Sequence, residues 1–145
     1  MKTLSTHAAA AKAIRQELKT AFPGITFRVN SKSFSMGDDV SIHWTDGPTY
    51  DAVNKITRKY QYGQFDGMND IYENSNDRSD IPQTKYVMLQ RNYSDQAREA
   101  AKIELMSLWY LPDFNDNTVM AKMGIWADAA IYRHLSPMTL DFAGF

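Results

Sequence analysis

Apolar and polar positions alternate along this chain in ways that predict seven elements. After Ser5 or Thr6, either of which can cap a helix, Ala11, Ile14, Leu18 and Ala21 or Phe22 recur at helical spacing. Lys12, Arg15 and Lys19 take the opposite side, and Pro23-Gly24 stops the helix near Ala21. In ITFRVN, Ile25, Phe27 and Val29 alternate with Thr26, Arg28 and Asn30. In DVSIHW, Val40, Ile42 and Trp44 alternate with Ser41 and His43, so both read as half-buried strands. The connection SKSFSMGD carries a Gly-Asp turn signal, which favours an antiparallel hairpin.

A turn at residues 45–49 leads into a second helix, with Val53, Ile56 and Tyr60 on its apolar face. TKYVMLQRNY reads as a third strand, apolar enough to be central. Ser94 caps a long helix to about Tyr110, with Ala97, Ala100, Ile103 and Met106 or Ser107 on one side, and Pro112 ends it. A final helix from about Met120 to Leu135 buries Ile125, Ala129 and Tyr132, and the tail SPMTLDFAGF docks. The expected fold class is α+β: a small, three-stranded, mostly antiparallel sheet with helices on one face, in the order α-β-β-α-β-α-α. The whole chain, 1–145, is expected to form one domain, with 111–145 as a helical extension.

The chemistry concentrates between the second helix and the third strand. YGQFDGMNDIYENSNDRSD, residues 62–80, holds five carboxylates, three asparagines and two glycines, yet retains Phe65, Met68, Ile71 and Tyr72. Charge is unevenly spread around it: residues 1–35 carry net +5 and residues 36–84 net -5, against -1 for the whole chain. An EF-hand does not fit, because the alternate positions after Asp66 are Met68 and Asp70 and the sixth is Ile71 rather than Gly. No metal or cofactor is expected. The chain has no cysteine, which excludes disulfides and thiolate chemistry. Lys12, Arg15, Glu17 and Lys19 interrupt any signal-peptide core, and no apolar run is long enough for a membrane helix.

Three readings follow. In the first, Tyr62, Phe65, Asp66, Asp70, Glu73, Asp77 and Asp80 form an acidic, aromatic surface for a protein partner. Such carboxylates can occupy a basic nucleic-acid channel on the partner. In the second, Lys12, Arg15, Lys19, Arg28 and Lys32 bind nucleic acid, although the outward strand positions offer no aromatic platform. The third is a hydrolase centred on His43, which requires a concave pocket around that residue. No catalytic motif accompanies it.

AKAIRQELKTAFPGITFRV, VSIHWTDGPT, YQYGQFDGMNDIYENSN and QTKYVMLQRNYS, in that order, resemble one of the large polyvalent-protein-associated domains, the twenty-ninth of that series. The resemblance spans about residues 8–110, and its most specific parts are residues 44–48 and Phe65-Asp66-Gly67-Met68 with Asp70, Tyr72 and Glu73. It implies an accessory protein of a phage or conjugative element, acting in the cytoplasm of a bacterial host against a defence complex such as a restriction or CRISPR effector. It carries over no catalytic residue.

Overall fold

A computed structural model describes residues 6–66, 68 and 71–140, with Phe65 and Asp66 described through their backbone. The fold is α+β. In chain order its elements are α1 (Thr6–Ala21), β1 (Arg28–Phe34), β2 (Gly37–Thr45), α2 (Tyr50–Thr57), β3 (Gln64–Asp66), β4 (Ile71–Glu73), β5 (Tyr86–Asn92), α3 (Asp95–Trp109), α4 (Asp116–Met123) and α5 (Ala127–Leu135). The expected order holds, with a β3–β4 hairpin interposed before the third main strand and the last helix divided. They form two compact units, residues 1–44 with 50–91, and residues 45–49 with 92–145.

The first unit is built on a three-stranded mixed sheet in the order β1-β2-β5. β1 and β2 form the expected antiparallel hairpin. Phe34 pairs with Gly37, so Ser35 and Met36 make the turn and β1 runs four residues beyond the strand expected from ITFRVN. Pairing of Val29 with Ile42 sends that set inward, where Val40, Ile42 and Trp44 meet Ala10, Ala11, Ile14 and Leu18 of α1 and Val53 of α2. Ile14 and Leu18 are fully buried, each worth about 2 kcal/mol of apolar transfer. β5 lies at the edge, not the centre, and β2 is central. The β5 positions alternate between half-buried and exposed after its first two residues, as suits an edge strand with one wet face.

In the second unit Ser94 caps α3 as expected, its side chain accepting from the Ala97 N–H. The buried stripe is Ala97, Ala101 and Leu105, strict four-residue steps, and Ile103 is exposed. The expected final helix is two. Gly124 takes φ +76 and caps α4, a left-handed conformation that suits glycine and stops the helix. Val119, Ala130, Ile131 and Leu135 are the buried residues of α4 and α5, whereas Tyr132 and Ala129 are exposed.

Candidate recognition surface

The Asp46-Gly47 pair serves architecture. Both residues adopt positive φ, +57 and +60, a conformation that Asp and Gly tolerate best. Buried Asp46 accepts the Ser94 N–H on Oδ1 at 2.9 Å, and its own N–H donates to the Asn92 carbonyl at 2.7 Å. The Leu140 N–H donates to the Gly47 carbonyl at 2.8 Å, which docks the tail through Leu140. The Asp46-Gly47 turn therefore fixes the start of α3 and Leu140 within the second unit.

The acidic stretch is ordered by amides and tyrosines. Asn76 donates to the Lys59 and Gln61 carbonyls, and Gln83 donates to the Lys59 and Asn76 carbonyls while accepting the Arg78 N–H. Amides held this way, Gln83 buried and Asn76 half-buried, offer the main chain partners it would otherwise lack. Gln61 does the same for Gly63 and Val87. Gly63 is a point of close approach: a Cβ there would lie 2.1 Å from the Glu73 carbonyl oxygen and 2.6 Å from Tyr72 Cε1.

Four rings then connect the β3–β4 hairpin to the sheet. Tyr62 meets Tyr72 edge-on at 5.8 Å, Tyr72 meets Tyr86 edge-on at 5.4 Å, and Tyr86 stacks on Phe34 at 6.4 Å. Such pairs add stability beyond their buried area. The Tyr72 hydroxyl donates to the Lys85 carbonyl, and the Lys85 ammonium lies 5.0 Å from the Tyr72 ring centre and 5.6 Å from that of Tyr86. Burial, and then the neighbouring Tyr62, push the Tyr72 hydroxyl up to about 12. Burial, with Asp38 and Asp77 nearby, also raises Tyr62. Phe34 of the ladder and Ile71, next to Tyr72 in β4, are nearly half exposed, and Met36, Met68 and Met88 more so.

Tyr62, expected as an anchor, is the half-buried end of this ladder. Glu73 ends β4, and Asp77 and Asp80 sit on the following loop, all three exposed. Asp80 is engaged by Arg78 at 2.5 and 3.0 Å, which holds its carboxyl below the usual range; Glu73 and Asp77 have no ion-pair partner among the described residues. Asp70 lies outside the described residues, as do the side chains of Phe65 and Asp66. Phe34 and Tyr86 extend the ring run beyond the residues expected from sequence, because SKSFSMGD reads as a connection and hides the strand position of Phe34. The signal was present: Arg28, Asn30, Lys32 and Phe34 continue one period-two series.

The register places Arg28 opposite His43, Asn30 opposite Ser41, and Lys32 opposite Asp39, all on the outward face with Phe34. An aromatic stack therefore does accompany these polar residues, contrary to expectation. Lys32 lies 3.9 Å from buried Asp39. Lys12, Lys19 and Arg28 are exposed and without ion-pair partners among the described residues. Arg15 donates to the Val29 carbonyl at 2.6 Å. The basic and acidic segments also meet directly, since Lys59 pairs with Glu17 at 2.8 Å and Tyr60 donates its hydroxyl to the same carboxylate. Burial raises the Glu17 carboxyl, but Lys59 and Tyr60 outweigh it and hold it below its ordinary value.

His43 stands on the outward sheet face and lines neither of two surface clefts. One, about 360 Å³, is bordered by Asn54, Arg58, Gln61, Gln64 and Asn76, and the other, about 350 Å³, by Leu105, Trp109, Met123 and Met138. Among the described residues no cluster of His, Asp or Glu could hold a metal ion, and no helix is long and apolar enough to cross a membrane.

No curated protein and no solved structure matches the chain. A family model described as Large polyvalent protein associated domain 29 matches residues 5–99, well over half the sequence, and so covers the first unit, the Asp46-Gly47 turn and the first part of α3. The chain belongs to the Large polyvalent protein associated domain 29 family.

Proposed function

We propose that this protein is a non-enzymatic accessory protein of a mobile genetic element that binds a host defence complex, such as a restriction or CRISPR effector. Its recognition surface is the tyrosine ladder with its acidic rim. The observation that carries this reading is the continuous run Phe34–Tyr86–Tyr72–Tyr62, with exposed Met36 and Met88 two residues from Phe34 and Tyr86, Ile71 and Glu73 on either side of Tyr72 along β4, and Asp77 near Tyr62. Aromatic and methionine side chains are enriched at interface centres, and charged groups belong at the rim. Amide-anchored main chain beneath the ladder supports it further, because a preordered surface loses less entropy on binding. The test is recovery of partners from host lysate by three proteins. They are the wild type, a variant with Asp66, Asp70, Glu73, Asp77 and Asp80 changed to Asn or Ser, and a variant with Phe34, Met36 and Met88 changed to Ser. Loss of the same partner by both variants is expected. Equal recovery by the acid variant would remove the acidic rim from the account.

A second reading, nucleic-acid binding, is favoured by the Phe34–Tyr86 stack on the same face as Arg28, Asn30, Ser41 and His43. Stacking rings beside cations suit a single strand. A salt titration with DNA and RNA oligomers tests it. Affinity must climb steeply as salt falls, and no binding at low salt eliminates the reading.

A further inference from the structure

We propose that the free edge of β1 binds an extended acidic peptide segment of a partner protein, which adds to the sheet as a fourth strand. The first observation is the edge itself. The sheet order leaves β1 paired on one side, by β2. A two-residue turn closed by the Phe34–Gly37 pair directs the main chain of Phe34, Lys32 and Asn30 toward β2. By the two-residue period, Val29, Ser31 and Ser33 then turn their N–H and carbonyl groups off the edge. Arg15 marks that direction independently, because its guanidinium reaches the Val29 carbonyl. Ser31 and Ser33 make no other main-chain hydrogen bonds off this edge among the described residues. An unpaired row of this kind is a template for strand addition.

The second observation is charge, and it selects the occupant. His7 lies 3.7 Å from Asp38, the partner of Ser33, whereas Arg15 reaches Val29. α1 therefore runs antiparallel along β1, and Lys12, Arg15 and Lys19 form a row beside the edge on the helix side. Arg28 and Lys32 form a second row on the outward side. Side chains of an added strand alternate between these two sides, so acids on either face meet a cation. Of the acids nearest these rows, Glu17 turns to Lys59 and Tyr60, and Asp39 is buried 3.9 Å from Lys32, whose side chain stays largely exposed to an added strand. A second copy of this chain is a poor occupant, since pairing two β1 edges would bring both basic rows together. Arg15 satisfies one edge carbonyl while the edge is empty, and its remaining donors can take a carboxylate of the added strand.

The test uses the full chain and a fluorescent synthetic peptide of about twelve residues alternating Thr and Glu, followed by anisotropy at low salt. The wild type binds it, and a peptide with Gln for every Glu does not bind. Ser31→Pro removes an outward N–H at an edge position and weakens binding roughly tenfold. The double change Lys12→Glu and Lys19→Glu, both at exposed positions, weakens it at least several-fold without lowering the melting temperature. In the wild type, peptide addition shifts the amide resonances of Ser31 and Ser33. The proposal is overturned if the peptide does not bind the wild type at low salt, or if Ser31→Pro binds it as the wild type does. It also falls if a single-stranded oligonucleotide of equal charge displaces the peptide and leaves those amides unshifted, because the cations would then be reading phosphates.

Discussion

Replacing Gly63 by alanine adds one carbon where the chain has no room for it. Its Cβ would lie 2.1 Å from the Glu73 carbonyl oxygen, against about 3.4 Å for ordinary contact, and 2.6 Å from Tyr72 Cε1. The nearest atom is β4 main chain, which cannot swing aside as a flexible side chain can, so β4 or residues 61–63 must move. Overpacking of this kind costs about 1–3 kcal/mol. The upper part of that range is expected here, because the displaced strand also carries Tyr72 of the ladder. For a unit of this size that lowers Tm by roughly 10 °C. Urea denaturation gives the free energy, and residue-resolved hydrogen exchange locates it, with faster exchange at residues 64–66 and 71–73 and no change in α3. Gly124→Ala is the control: nothing lies within 4 Å of the new carbon, and φ +76 alone sets a cost of about 1 kcal/mol. A loss below about 0.5 kcal/mol for Gly63→Ala would refute the close approach as the reason for this glycine.

Asp46→Ala removes both the acceptor for Ser94 and a residue suited to positive φ, and costs about 2–3 kcal/mol; Asp46→Asn keeps both and costs less than about 1 kcal/mol by urea titration. The depressed Glu17 carboxyl contributes stability that is present above its unfolded value, 4.5, and is lost as pH falls through the lower folded value. Lys59→Met returns that titration toward 4.5 in a carbon-detected NMR series and flattens the stability loss below pH 4.5; an unchanged midpoint would disprove the coupling. Tyr72 works in the opposite sense. Its stability term is complete below the ordinary tyrosine value, 10.0, and declines as pH rises toward about 12, so absorbance at alkaline pH should show phenols ionising late and Tyr72→Phe should remove one of them.

Much of the fold was legible because its patterns are local. The α1 stripe, the two hairpin strands and the Ser94 cap all depend on spacing within a few residues. The α3 face was misassigned because alanines dominate it: Ala97 and Ala100 fit one register, Ala97 and Ala101 the other, and packing chose the second. The break at Gly124 was a glycine inside an otherwise helical pattern, where a single residue can continue or cap, and neighbouring Ile125 and Trp126 gave no local preference. In the acidic stretch the composition draws attention to carboxylates, yet the ladder joins Tyr62 and Tyr72 of that stretch to Phe34 of β1 and Tyr86 of β5. Sequence separation hides such a cluster, because register and pairing, not spacing, bring its rings together.

The central claim is that a protein partner is recognised through the ladder and the hairpin beside it. Amide hydrogen exchange of the captured complex against the free protein tests it most directly. The account predicts slowed exchange at residues 62–73 and 84–88, with the amides of α3 to α5 unchanged. Protection confined to α3, α4 and α5, with residues 62–73 exchanging as in the free protein, would contradict it.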